Sequence, residues 1–155
     1  PGPCIAGMAA ALREGVAVLF DYGVSRREFY APSRSAGWLG CYVRHRAHDD
    51  PLSLRGIQDL TAWVDFTNVA AVAVAQGMDV AGYTPQAQFL MSGGLESEMQ
   101  GFDDLPLERQ VELSQQVKTL TLPGDMGERF KCLALSKGDI PAPSAFQLAD
   151  RTHTL

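Results

Sequence analysis

The chain has 155 residues, 46% hydrophobic and 20% charged with 15 glycines, a composition that excludes a disordered or fibrous protein and predicts one domain burying roughly two-thirds of its unfolded surface. A formal net charge of −5, with arginines and lysines spread along the chain, argues against nucleic acid as a partner, because phosphate neutralisation needs a basic face. No apolar run approaches the roughly 18 residues of a spanning helix, so no membrane partner is expected.

In chain order, residues 5–13 carry alanine-rich helical spacing, and Gly15 is placed to stop that helix before a strand over residues 16–21. The strand, Val16-Ala17-Val18-Leu19-Phe20-Asp21, is apolar on both faces, as a helix-covered parallel sheet requires. Ligands of open parallel sheets bind beyond the carboxyl ends of the strands, which draws attention to Asp21, Tyr22 and Gly23. A turn or cap role for Asp21 is the alternative.

Residues 24–37 are polar and turn-rich, and "WLGCYVRH" (38–45) reads as a strand or hairpin arm. Residues 46–66 read as a long, largely irregular connection whose interleaved Leu52, Leu54, Ile57, Leu60 and Trp63 argue against disorder. Asp65 is placed to cap a buried helix that Gly77 ends. A strand over 79–83 follows, then Thr84 as N-cap and Pro85 as first residue of a helix closed by Gly93-Gly94. Residues 106–118 form an amphipathic helix with Leu107, Val111 and Val117 on one side. "FKCLALSK" (130–137) is a final strand in which Phe130 packs and Lys131 exits to solvent, and residues 138–155 read as a proline-punctuated tail.

Cys4, Cys41 and Cys132 lack any CxxC spacing and read as reduced, buried thiols. The opening "PGPCIAGMAA" has neither an initiator Met nor a targeting segment and reads as a chain begun in mid-protein.

The blocks "GVAVLFDYG", "GCYVRHRAHDDPL", "GIQDLTAWVDFT", "YTPQAQFL" and "PGDMGERFKCLAL" resemble, in order, the C-terminal part of a family of S-adenosylmethionine-dependent methyltransferases whose mitochondrial member is an arginine methyltransferase assisting assembly of respiratory complex I. The resemblance covers roughly residues 5–137, and "AFQLADRTHTL" is similar to the family's closing segment. It implies an α/β fold, the second half of a class I methyltransferase (Rossmann-like) mixed sheet, with residues 1–137 in the domain, a lid-like insertion at about 24–64, and a tail at 138–155. The first strand would be parallel-type and the last antiparallel to its neighbour.

The cofactor implied is S-adenosyl-L-methionine. The glycine-rich loop and acidic residue that would hold its methionine and ribose are not in this chain. No cofactor-binding residue is assigned, and the chain by itself is expected to be inactive. Localisation follows the source, cytoplasmic in a bacterium or mitochondrial matrix in a eukaryote.

Arginine is a poor nucleophile that a carboxylate can clamp and orient, so the catalytic candidates are Asp21, His45 and Asp59. Tyr22, Gly23, Tyr42, Gln58, Thr61, Asp65 and Gln86 are the substrate-binding candidates, with Trp38 as a further wall candidate and Asp65 better explained as a helix cap. The string His45-Arg46-Ala47-His48-Asp49-Asp50 suggests metal only superficially: methyl transfer from a sulfonium needs none, and no ligand cluster stands elsewhere in the sequence. No metal is expected, and His48 reads as solvated. A protein substrate is the expected partner, and the chain alone is expected to self-associate through an uncovered sheet edge. A non-enzymatic assembly module that keeps the half-fold, or a small-molecule methyltransferase, is the alternative.

Overall fold

The computed structural model describes residues 1–44 and 46–155. Its helices are α1 (Gly2–Ala11), α2 (Arg26–Phe29), α3 (Phe66–Ala75), α4 (Gln86–Ser92), α5 (Leu95–Glu98), α6 (Leu107–Thr121) and α7 (Met126–Arg129). The strands are β1 (Gly15–Val24), β2 (Leu39–Val43), β3 (Arg46–His48), β4 (Asp59–Ala62), β5 (Val64–Asp65), β6 (Asp79–Pro85) and β7 (Phe130–Lys137). They form a four-stranded sheet in the order β5-β1-β7-β6 and a small three-stranded sheet in the order β3-β2-β4.

The main sheet is mixed. β7 runs antiparallel to both β1 and β6, and β1 is parallel to β5. β7 is the central strand, with Cys132, Leu133, Ala134 and Leu135 fully buried. Alternation along a strand sends successive side chains to opposite faces. Leu133 and Leu135 therefore join Ile5, Ala9, Phe66, Val69 and Met78 under α1 and α3. Cys132 and Ala134 meet Phe146 and Phe89 on the other face. Burial pushes the Cys132 thiol up to about 12, against the opposing pull of the Lys131 charge, so it stays protonated at neutral pH.

Several expected boundaries move. β1 does not finish at Asp21 but continues to Val24, because Asp21 and Tyr22 pair with Lys131 and Phe130 and the last two residues pair with β5. Gly23 is a packing glycine: a Cβ there would lie 2.4 Å from the Phe66 ring and 2.6 Å from the Val64 carbonyl oxygen. Gly15 begins β1 rather than ending α1, whose C-cap is Leu12. The expected long loop at 46–66 contributes β3, β4 and β5. Thr84 is not a helix cap: it is a buried strand residue whose hydroxyl donates to the Ala149 carbonyl at 2.8 Å. Leu107 and Val111 are exposed, at 74% and 50%. The half-buried stripe of α6 is Gln110, Leu113, Ser114, Val117, Leu120 and Thr121. Lys131 does not reach solvent either; it is buried and its ammonium donates to the carbonyl and carboxylate of Glu128. Cys4 is exposed, unlike Cys41 and Cys132. Asp65 and Gly77 do bound α3 as their chemistry requires, the Asp65 carboxylate accepting from the Asn68 N–H at 3.0 Å and Gly77 adopting φ +75°.

The tail is built into the domain. Phe146 is buried against Gly82, where a Cβ would approach the ring to 2.5 Å. The Arg151 N–H donates to the Tyr83 carbonyl at 2.6 Å, and the Tyr83 N–H donates to the Asp150 carboxylate at 3.0 Å. The free edge of β6 is thus covered by the chain's own end, a standard protection against edge pairing. Among the described residues, β1 has no ladder partner along residues 15–22 on its outer side.

Burial alone would raise the Asp150 carboxyl, but hydrogen bonds from the Thr152 hydroxyl and the Tyr83 and Thr152 N–H groups outweigh it and hold it below the usual carboxylate value. A lowered folded-state pKa stabilises the docked tail above the unfolded value, and that contribution is lost as pH falls through the folded value. The Tyr83 amide should therefore be well protected from hydrogen exchange at neutral pH and lose protection below about pH 4, the ordinary aspartate range. Asp150→Ala should lower protection at neutral pH and remove the acid-induced change. Protection factors that do not differ between the two pH values would show that Asp150 does not hold the tail.

Candidate functional site

Tyr22 lies near the carboxyl end of β1 on the same face as Phe20, and its ring sits 4.0 Å, centroid to centroid, from that of its ladder partner Phe130. Trp63, in the link between β4 and β5, lies 6.4 Å from Tyr22. From Trp63 the aromatic contacts continue to Trp38 at 4.7 Å and to Phe29 at 5.5 Å. The Trp38 indole N–H donates to the Phe29 carbonyl at 2.7 Å, and the Arg34 guanidinium lies 4.5 Å over the Trp38 ring. This row of rings fastens the insertion to the main sheet.

Between the two sheets is a pocket of about 480 Å³ lined by Tyr22, Tyr42, Thr61, Trp63 and Arg129. Three of these, Tyr22, Tyr42 and Thr61, are substrate-binding candidates of the sequence. They come from β1, β2 and β4, so only the fold brings them together. Tyr42 is directly opposite Asp59 in the β2–β4 ladder, and Gly40 is opposite Thr61. With side chains alternating along each strand, Tyr42, Asp59 and Thr61 share one face of the small sheet, the face toward the pocket. No side-chain hydrogen bond or ion pair occupies the Asp59 carboxylate among the described residues.

Asp21 is on the other side of β1 from Tyr22, in step with Leu19 and Gly23. Its carboxylate accepts the Tyr22 N–H at 2.8 Å. Three other candidates are occupied by structural bonds. The Gln58 amide donates to the carbonyls of Pro51 and Ser53, at 2.7 and 2.5 Å, and knits the loop before β4. Asp65 caps α3 and also accepts from the Arg26 guanidinium at 3.2 Å. Gln86 is buried and donates to the Leu120 carbonyl at 2.9 Å, tying α4 to α6. His45 lies outside the described residues. His48 is half-buried rather than solvated, and its Nε2 has no partner among them.

Trp63 and Arg129 escaped the sequence reading. Trp63 follows Thr61 at the two-residue interval that keeps a strand's side chains on one face, a usable signal. Arg129 precedes the last strand and carries no local pattern that marks it. Among the described residues, no group of three or more His, Cys, Asp or Glu side chains is arranged to hold a metal, and no helix is long and apolar enough to cross a membrane. A larger hollow of about 830 Å³, bordered by Glu96, Phe102, Asp103 and Asp104, is formed by a different part of the chain and includes none of the candidate residues.

Two crystal structures of Burkholderia thailandensis proteins share this architecture. One is an uncharacterized protein, with a TM-score of 0.92 and 36% identity over 99% of this chain and 41% of its own. The other is a methyltransferase candidate of the same superfamily bound to S-adenosyl-homocysteine, with a TM-score of 0.91 and 36% identity over 99% of this chain and 40% of its own. A Drosophila melanogaster protein, "Protein arginine methyltransferase NDUFAF7 homolog, mitochondrial", is 34% identical over 131 residues, which is 83% of this chain and 28% of the fly protein. This chain therefore spans about two-fifths of the solved structures and less than a third of the fly relative. The family model described as "Putative S-adenosyl-L-methionine-dependent methyltransferase" matches residues 2–84. With more than half its length matched, the chain belongs to that family of S-adenosyl-L-methionine-dependent methyltransferases.

Proposed function

We propose that this chain supplies the acceptor side of an S-adenosyl-L-methionine-dependent methyltransferase acting on protein arginine. The observation that carries the reading is the aromatic-walled pocket of Tyr22, Tyr42 and Trp63 beside the carboxyl end of β1, with Asp59 on the same sheet face as two of its lining residues. The fly relative's name supports arginine as the acceptor.

The chemistry follows from what a guanidinium needs. It is planar and cationic, and it attacks only when its lone pair is localised and a proton is removed. Aromatic rings attract a planar cation by cation–π interaction, and Tyr22, Tyr42 and Trp63 all line the pocket. Asp59 would accept charge-assisted hydrogen bonds from the guanidinium, fix the orientation of the attacking nitrogen and receive the proton released. S-adenosyl-L-methionine, when bound, supplies an electrophilic methyl group.

Neither Gly93 nor Gly127 supplies a loop for the methionine and ribose end of that cofactor. Gly93 closes α4, and at Gly127 a Cβ would meet the Thr121 carbonyl oxygen at 2.1 Å, so that glycine makes room for the chain itself. The chain alone should not bind S-adenosyl-L-methionine with useful affinity, and calorimetric titration checks this; tight one-to-one binding would refute it. We also propose that the isolated chain self-associates through the outer edge of β1, where Val18, Phe20 and Tyr22 are partly exposed. Sedimentation at increasing concentration should show mass growing above the monomer, and a concentration-independent monomer would speak against it.

The carboxylate assignment is tested in the full-length enzyme. Asp59→Asn removes charge while keeping shape, and methyl transfer should fall by about tenfold or more. Asp21→Asn, on the opposite side of β1, should change turnover much less, by under about threefold, because surface polar changes away from the reacting groups are small. If Asp21→Asn is the crippled variant and Asp59→Asn is active, the clamp belongs to Asp21 as the sequence alone suggested.

A further inference from the structure

Arg129 is out of place in a pocket that reads only a cation. It ends α7 and lines the same cavity as Tyr22, Tyr42 and Trp63. The neighbouring carboxylate does not neutralise it: Glu128 is taken by Arg151, whose Nη1 lies 2.6 Å from Oε1, and by Lys131 at 3.4 Å. Arg129 is exposed and has no hydrogen-bond or ion-pair partner for its side chain among the described residues. An unpaired guanidinium facing a bound guanidinium repels it unless an anion lies between them. The inserted segment that supplies Tyr42, Thr61 and Trp63 is itself net positive in sequence. Residues 24–64 hold six arginines and no lysine against four acidic residues, in a chain whose net charge is −5.

We infer that Arg129 is a specificity-determining residue that pairs with an acidic side chain flanking the acceptor arginine, so that the preferred substrate is an acidic-flanked arginine segment of a protein. The inference rests on the acceptor-pocket reading above. In this arrangement the aromatic walls and Asp59 hold the acceptor's cation while Arg129 holds its neighbour's carboxylate. Two opposite charges on the enzyme then meet two opposite charges on the substrate, which fixes the direction in which the segment lies. Charge complementarity of this kind acts chiefly on partner choice and encounter rate.

The test uses the full-length enzyme, S-adenosyl-L-methionine, and short peptides with a central arginine flanked by Glu, Ala or Lys. The wild type should methylate Glu-flanked peptides with a kcat/KM about three- to tenfold above Lys-flanked ones, a range suited to a solvent-exposed pair, and added salt should shrink the ratio. Arg129→Ala should level the series and Arg129→Glu should invert it. Since Arg129 is exposed and unpaired, both variants should keep the wild-type melting temperature. Peptide binding measured by fluorescence anisotropy, without turnover, should follow the same order. Equal use of Glu and Lys flanks by the wild type, or a preference that survives in Arg129→Glu, overturns the role of Arg129 while leaving the acceptor pocket standing. Arginine peptides neither bound nor methylated by the wild type, whatever their flanks, would overturn the arginine reading and this inference with it.

Discussion

The antiparallel ladder between β1 and β7 is the constraint from which the rest of the molecule follows. It pairs eight successive residues, from Gly15 with Lys137 to Tyr22 with Phe130. Because β7 is buried on both faces, its register decides which side chains go under α1 and α3 and which under α4 and the tail. A slip of one residue would exchange the two sets. Leu133 would then meet the space shaped for Ala134, and Tyr22 would lose its partner Phe130. The pocket depends on that last pairing, since Phe130 backs the ring that forms its floor.

From Tyr22 the structural order passes outward through rings. Trp63 leans on Tyr22, Trp38 on Trp63, and Phe29 on Trp38. Aromatic pairs of this kind contribute about 0.5–1.5 kcal/mol each beyond their buried area. They matter more here than in a core, because Leu39 and Leu60 of the small sheet are largely exposed and Cys41 is its one fully buried side chain among the described residues. The insertion is therefore anchored at the same residues that wall the pocket, and its attachment and the pocket's shape are one property.

What could be read from the sequence follows the range of the forces involved. Asp65 as a cap and Gly77 as a stop are local, each settled within one turn of helix, and both stand. The strands were visible as apolar runs, but Asp21-Tyr22-Gly23 resembles a turn until its partners Lys131, Phe130 and Val64 are known. Leu107 and Val111 have helical spacing and are nonetheless exposed, because α4 and α7 approach α6 from another side. The tail looked like a linker because its ties to Tyr83 and Thr84 cross more than sixty residues of chain. The same distance rule explains the site. Tyr22, Tyr42 and Thr61 stood out through their places on strands, whereas Arg129 is separated from Tyr22 by the whole of α3 to α7 and no local pattern announces it.

The two walls of the pocket differ in how firmly they are held, and this shapes what the site can do. Tyr22 belongs to a strand locked by a long ladder, with the buried strand β7 beside it. Tyr42 and Thr61 belong to a three-stranded sheet whose ladders pair three and four residues. Local opening costs least where few apolar contacts are buried. Opening of the pocket is thus cheaper on the side of the small sheet than on the side of β1. The firmly held wall of the pocket is therefore Tyr22 against Phe130, and it is the long ladder that fixes it there.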